Sequence, residues 1–437
     1  MNATPERPKY AMALKGGIIF ILILFLVIPT VLINELIRER QQRLEEAVRE
    51  VSSKWADRQT ITGPIVSVPY LEYFRDSLGV HSYKRYTHVL PDHLNIDGTL
   101  SPEMRYRGIY QVAVYNSKIK FKGNFGNLNL KELNIAEQNI LWNEAFVSIG
   151  ITDLRGIEDA IDFNWNGEKY SFNSGLESKD VLLSGINTKI KIEHGDSANA
   201  NNEFEFNLNL KGSEYVYFSP IGKTTEVNIS SPWTTPSFDG AFLPDKRNID
   251  DKGFTAYWRV LHLNRNFPQQ WTNNQHNIDG SAFGINLKIP TDSYTKTDRS
   301  IKYSILFITL TFMIFYFLEL LNNKYIHAVQ YLLVGFALCI FYVLLLSISE
   351  HIPYNFAYVI ASTMTIGLIS WYTAGVLKDK KLSFMVAGNL TLLYGFIFTL
   401  IQLEDYALLM GSFGLFTILC IVMFYSRKID WATMMRK

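Results

Sequence analysis

Six stretches of this chain are long and apolar enough to cross a bilayer, and they leave room for few folds. They lie at about residues 16–33, 301–321, 328–348, 354–376, 383–402 and 405–425. A spanning helix needs about 20 mainly apolar residues to cross about 30 Å of hydrocarbon, where the backbone must satisfy its own polar groups. The first stretch, "GGIIFILILFLVIPTVLI", follows Arg7, Lys9 and Lys15, the charge order of a secretory signal. It is long for one, and "NELIRERQQRLEE" beyond it offers no small-x-small cleavage site, so it reads as an uncleaved anchor.

Residues 34–300 are polar by contrast. With 42 basic and 41 acidic side chains and a net charge of +1, the 437-residue chain gives no argument for nucleic acid. Its two cysteines, Cys339 and Cys420, both lie in apolar runs, so the polar region holds no disulfide. Residues 34–58 continue as a membrane-proximal helix, with Ile37, Leu44, Val48, Val51 and Trp55 on one stripe. From Gly63 the helical period gives way to short alternating runs such as "IVSVPYLEYF", "YQVAVYNSKIKFKGNF" and "FEFNLNLKG", which read as strands. In "NWNGEKY" the Asn-Gly pair readily supplies two positive φ angles, a hairpin signal. The predicted fold is mixed: six transmembrane α-helices with a large β-rich domain, an antiparallel sandwich or barrel-like. Its divisions are an N-terminal segment 1–15, helix 16–33, helix 34–58, β-rich domain 59–300, five-helix bundle 301–425 and tail 426–437.

Orientation follows from Lys and Arg in the short connections. Arg7, Lys9 and Lys15 precede the first span, Lys324 follows the second, and Lys378, Lys380 and Lys381 follow the fourth. Arg427, Lys428, Arg436 and Lys437 follow the sixth, whereas the alternate loops "SEHIP" and "QLED" contain neither residue type. This alternation places both termini in the cytoplasm and residues 34–300 outside. Arg38, Arg40 and Arg43 pull the other way, but long translocated domains escape the rule.

That topology puts Glu350 and His351 at the outer end of the third span and Glu404 and Asp405 in the other outer turn. "TDSYTKTDRSIKY" reads as a basic membrane-proximal strand bringing Lys296, Arg299 and Lys302 to the same level. These groups are expected to dock the outer domain on the bundle; the plain alternative is a solvated turn, and a proton relay would need deeper, chained groups. Glu319 is expected to snorkel or to pair with Lys324, and Asn389 to make an interhelical hydrogen bond. The densest feature of the polar region is "SPWTTPSFDGAFLPDKR". There Trp233, Phe238, Asp239, Phe242 and Arg247 form a candidate surface for a protein or glycan partner, although the composition favours a structural corner. No GxSxG, HExxH, CxxC or phosphate-loop motif occurs. Ser117 and Lys120 make a chance SxxK in a strand, and His81, His88 and His93 are too loosely spaced around Asp92 for a metal site.

The stretches "TGPIVSVPY", "SIGITDLRGI", "SSPWTTPSFDGAFLPDKR", "TDRSIKYSILFITLTFMIFYFLELL", "HAVQYLLVGFALCIFYVLLLSISEH" and "SRKIDW" resemble, in order, the CreD family of bacterial inner-membrane proteins. The resemblance covers essentially the whole chain. Thr234 and Thr235 stand where the family pattern has Pro-His, which weakens any role given to that histidine. The resemblance implies a Gram-negative inner membrane, a periplasmic domain and a link to cell-wall damage, and it supplies no catalytic residue. The expectation is a non-enzymatic envelope-integrity protein in the lipid bilayer, without cofactor or metal, that binds an envelope protein or glycan; its oligomeric state is open. A transporter would need broken helices in matching halves, and an envelope enzyme a nucleophile with its base or a metal set.

Overall fold

Ala11–Trp55 forms one unbroken helix, α1, of 45 residues, about 68 Å long at 1.5 Å per residue. The structure, a computed structural model, describes residues 11–427 except 78, 127, 129, 193–201, 288, 290, 291, 323, 404 and 405. The chain divides into two units, Met1–Leu44 with Thr291–Lys437, and Glu45–Pro290. The spans and the membrane-proximal helix expected at 16–33 and 34–58 are thus parts of a single element.

In the first unit α1 is followed by α2 (Asp292–Lys302), α3 (Ser304–Asn322), α4 (Ala328–Ser349), α5 (Tyr354–Leu377), α6 (Lys380–Gln402) and α7 (Ala407–Ser426). Six of these, all but α2, are long and apolar enough to cross a membrane. The basic stretch expected as a strand is therefore helical. Tyr294, Thr297, Ser300 and Ile301 recur at helical steps and are buried, while Lys302 and Asp298 pair at 2.6 Å across one turn. Two hydroxyl residues in the buried stripe hid its period from a reading based on apolar residues. An aromatic cluster joins three of the spans: Phe307 of α3 lies 4.5 Å from Tyr394 of α6, and Phe341 of α4 lies 4.8 Å from the same ring. Helix α7 buries none of its described side chains, the pattern of a helix whose apolar surface faces hydrocarbon rather than protein.

In the second unit the alternating runs form two sheets. The eight-stranded sheet runs, in spatial order, Lys246–Asp250, Gly253–Leu261, Thr224–Ser231, His93–Arg107, Tyr110–Phe125, Asn202–Ser213, Asp162–Trp165 and Glu168–Ser171. The nine-stranded sheet is organised by the 18-residue strand Gln59–Asp76. It pairs antiparallel with Gly79–Val89 and Phe146–Ile151, and parallel with Tyr215–Phe218. A second parallel pair joins Thr224–Ser231 to His93–Arg107, so both sheets are mixed rather than wholly antiparallel. Alternation reveals the buried face of a strand but not the direction of its neighbour, so the parallel pairs were not legible.

Residues of both sheets pack into one core. In Asn202–Ser213 the side chains of Phe204, Phe206, Leu208 and Leu210 all point into it. Phe206 stacks on its register partner Phe121 at 4.6 Å. Each ring buried this fully contributes about 1.5–3 kcal/mol by area alone. The expected hairpin is present: Asn166 and Gly167, at φ 51 and 87, turn Asp162–Trp165 into Glu168–Ser171.

Candidate functional sites

The polar groups of the membrane unit fall into two clusters. In the first, Lys15 of α1 is salt-bridged to Glu319 of α3, and both side chains are largely buried. The Lys15 ammonium also donates to Ile326 O at 2.7 Å and lies 4.2 Å from the Tyr325 ring centroid. Tyr331 of α4 donates to the other Glu319 oxygen at 3.3 Å. Glu319 is thus held by Lys15 and not, as expected, by Lys324. Three helices share one ion pair, and each carboxylate oxygen has a donor while the ammonium has a second acceptor, which offsets part of the cost of burying the pair.

In the second cluster Tyr294 of α2 donates to Glu350 at 3.2 Å, and Arg40 of α1 stands 3.7 Å from the same carboxylate. Ser300 and Tyr354 share a hydrogen bond of 2.7 Å beside it, and Lys296 lies over the Tyr354 ring at 5.9 Å. Lys296, Arg299, Lys302, Glu350 and His351 all belong to the membrane unit. His351 is exposed just beyond α4, and Glu404 and Asp405 lie outside the described residues. Asn389 donates to Met385 O of its own helix at 2.8 Å, in place of the expected interhelical bond.

In the β unit, the aromatics of the 233–247 turn are half-buried against the core. Phe238 meets Phe254 and Trp258 edge-on at 5.5 and 5.8 Å, and Phe242 meets Phe283 at 5.8 Å. The Trp233 indole N–H donates to Thr235 O at 3.2 Å. Asp239 accepts from the Tyr217 hydroxyl, and burial together with that carboxylate raises the Tyr217 pKa. Arg247 is exposed on the strand Lys246–Asp250. Elsewhere in the unit, Arg265 donates to the carbonyls of Phe267 and Ile221 at 2.6 and 3.0 Å, and burial lowers its pKa to about 10. The SxxK pair does other work: Ser117 donates to Leu210 O at 2.7 Å and Lys120 pairs with Glu205 at 2.8 Å. Among the described residues no three of His, Cys, Asp or Glu converge as a metal site.

The constellation closest to chemistry was not legible in the sequence. Ser67 and His88 are register partners in the long hairpin, with Ser67 Oγ 2.9 Å from His88 Nδ1. Asp180 Oδ2 stands 3.4 Å from His88 Nε2. Burial lowers the His88 pKa, opposed in part by Asp180, so the ring is neutral at pH 7. The network then assigns Ser67 as donor to Nδ1 and leaves Nε2–H facing Asp180. Serine hydrolases use the opposite nitrogens for the two partners, and Ser67 and His88 are 3% and 2% exposed. No substrate reaches them in this conformation. Alternation placed Ser67 and His88 on one face of their strands, but only the turn register makes them neighbours.

The open site is elsewhere. A cleft of about 1130 Å³ lies over the polar face of the eight-stranded sheet, lined by residues that include His93, Asn95, Lys122, Asn164, Tyr170 and Lys191. Register aligns Asn95, Lys122, Glu205 and Asn164 in one rung across four strands. Amide side chains offer donors and acceptors together, which suits a ligand rich in hydroxyl or amide groups.

A family model described as "Inner membrane protein CreD" matches residues 11–432 of the chain. The curated "Inner membrane protein CreD" of Escherichia coli (strain K12) is 34% identical over 420 residues, which is 94% of this chain and 91% of that protein.

Proposed function

The chain belongs to the CreD family of inner-membrane proteins, and from that premise we propose that it supports envelope integrity by binding, not by catalysis. One observation carries this reading: the β unit presents a polar cleft to solvent while its serine–histidine pair is shut away. The cleft takes an envelope component, a glycan or a peptide-bearing partner, and the exposed Arg247 strand adds charge to the same sheet. Lys122 and Lys191 roughly balance Glu168, Glu203 and Glu205 around the cleft, which favours a ligand of low net charge.

Both termini lie in the cytoplasm and the β unit in the periplasm. The support is the alternation of basic and non-basic connections: Lys324, Lys378, Lys380 and Lys381 in one set, none in "SEHIP" and "QLED". The bundle acts as anchor. Its buried ion pair is shared among α1, α3 and α4, and among the described residues it is not seen to continue as a chain of acids and bases across the bundle.

Two measurements test this. A cysteine at Gly108, an exposed turn, is labelled by an impermeant reagent from the periplasm, and one at Asp379 is not; the reverse pattern overturns the orientation. In cells lacking the gene and challenged with cell-wall damage, the full chain restores growth, whereas Lys122→Glu with Asn164→Ala does so poorly at equal abundance. Full rescue by that cleft variant overturns the binding assignment.

A further inference from the structure

Gly175 to Ser184 leave the nine-stranded sheet and return to it, closing where Gly175 N donates to Gly185 O at 3.1 Å. The sheet face beneath them sets polar side chains among the buried Ile65 and Phe146, the register partners of Ser148 and Ser67, whereas on the opposite face Val66 and Val147 enter the core. Register aligns Ser67 with His88 and Ser148 with Asn187 on this face, and none of the four is more than 9% exposed.

Leu176 and Val181 pack against the core and Ser184 O accepts from Ile151 N at 3.2 Å; three further anchors hold the segment down. Asn187 Nδ2 donates to Gly175 O at 2.8 Å. Leu182 sits on Gly150, so closely that a Cβ there would stand 2.7 Å from its Cδ2. Asp180 faces His88 Nε2 at 3.4 Å. The first two are indifferent to pH; the third is not.

We propose that residues 175–184 form an acid-released lid, latched by Asp180 on His88 over a floor in which Ser67 and His88 lie beside Phe146. A closed lid strips water from the imidazole and leaves one carboxylate, at the long end of contact, to offset a positive charge. The other neighbours offer little. Ser67 faces the ring from Gln59–Asp76, and Trp271 from Gln270–Thr272 at 5.8 Å, with His276 5.8 Å behind the indole. Phe146–Ile151 carries no ionisable side chain, and Glu177 and Lys179 of the lid itself are exposed. With the lid open, the ring regains water and its ordinary pKa of about 6.5. His88 therefore binds a proton more readily open than closed, and by linkage acid draws the lid open. Opening uncovers a hydroxyl–imidazole pair and two further hydrogen-bonding side chains that the closed form hides. This device is independent of what the cleft on the other sheet binds.

The test is amide hydrogen exchange of 175–184 in the full chain in nanodiscs, between pH 8 and pH 5. Each rate is divided by that of the exposed turn at Gly108, which removes the intrinsic pH dependence. Relative exchange should rise at most about tenfold per pH unit below about 6.5 and then level off. His88→Gln, whose amide can still bond Ser67, should abolish the rise. Asp180→Asn, at a partly exposed position, should raise exchange at pH 8, leave the onset of the acid rise near pH 6.5 and carry the rise further before it levels off, because only the closed-state value falls. Flat exchange in the wild type, a fall on acidification, or an unaltered rise in either variant overturns the lid.

Discussion

Both units bury apolar side chains such as Phe206 and Phe312, but they leave opposite kinds uncovered. The β unit hides Phe121, Phe163, Phe206 and Trp258 almost completely and covers its sheet faces with Asn, Lys and Glu. The membrane unit leaves Trp371, Phe384 and Leu408 largely uncovered and turns Thr311, Thr365 and Thr373 inward. Thr365 and Thr373 donate to Ala361 O and Ile369 O of their own helix at 2.9 and 2.6 Å. Fractional exposure thus has no fixed meaning along this chain. Where water is the solvent, the fold hides what water solvates poorly; where lipid is the solvent, it hides what lipid cannot hydrogen-bond.

The sharpest break of that contrast is a matched truncation. Phe206→Ala should cost the β unit about 3–5 kcal/mol, because a stacked, fully buried ring leaves a cavity. Leu408→Ala on α7, where the side chain is 88% exposed, should change the membrane unit by under about 0.5 kcal/mol. Denaturant titration of the full chain in nanodiscs reads both, and equal losses would dissolve the distinction.

Next comes the ion pair. Lys15→Ala strands Glu319 in a buried site and should cost the membrane unit about 3 kcal/mol. Lys15→Met with Glu319→Leu should recover most of it, since apolar replacements remove the uncompensated charge. Thermal unfolding in a fixed detergent distinguishes the two variants. A double variant as weak as the single one would mean that the pair contributes attraction beyond its own desolvation.

A smaller effect depends on pH. Burial depresses His88, so the unfolded chain takes up the proton more readily than the folded one. The contribution to stability is therefore present above about pH 6.5 and is lost as pH falls through the folded value, at most about 1.4 kcal/mol per pH unit. Unfolding of the β unit measured from pH 8 to 5 should show this slope in the wild type and less of it in His88→Gln. The smallest effect belongs to Arg40 and Glu350. At 3.7 Å, with Arg40 39% exposed, Arg40→Ala should cost only about 0.2–1 kcal/mol, and less at high salt. Glu350 is itself only 10% exposed but keeps Tyr294 as a donor, so a loss of several kcal/mol would mean that Arg40 supplies charge compensation that the hydroxyl cannot.

What could be foreseen divides along the same line. The spans and the strands announce themselves because apolar runs and alternation are local, and Asn166-Gly167 is a local turn signal. Helix α2 escaped because Thr297 and Ser300 occupy its buried stripe. The Lys15–Glu319 pair escaped because its partners stand 304 positions apart, beyond any spacing rule, so the nearer Lys324 looked the better partner. Ser67 and His88 escaped because face can be read from a strand but register cannot. The aromatics of the 233–247 turn were visible as a cluster, but only packing shows that two of the rings meet core residues edge-on.

That separation of 304 positions also sets a schedule. At about 5–20 residues per second, synthesis reaches Glu319 about 15–60 s after Lys15 has emerged. Through that interval the first helix exists without its counter-ion, and its ammonium must stay at the headgroups on a flexible stem. The whole β unit is made in the gap. Only when α3 and α4 arrive does the lysine exchange lipid phosphate and water for Glu319, Ile326 and the Tyr325 ring, so the latch between the oldest and newer helices closes late. A chain truncated before residue 319 would lack the counter-ion of Lys15 and carry an unmatched positive charge on its first helix.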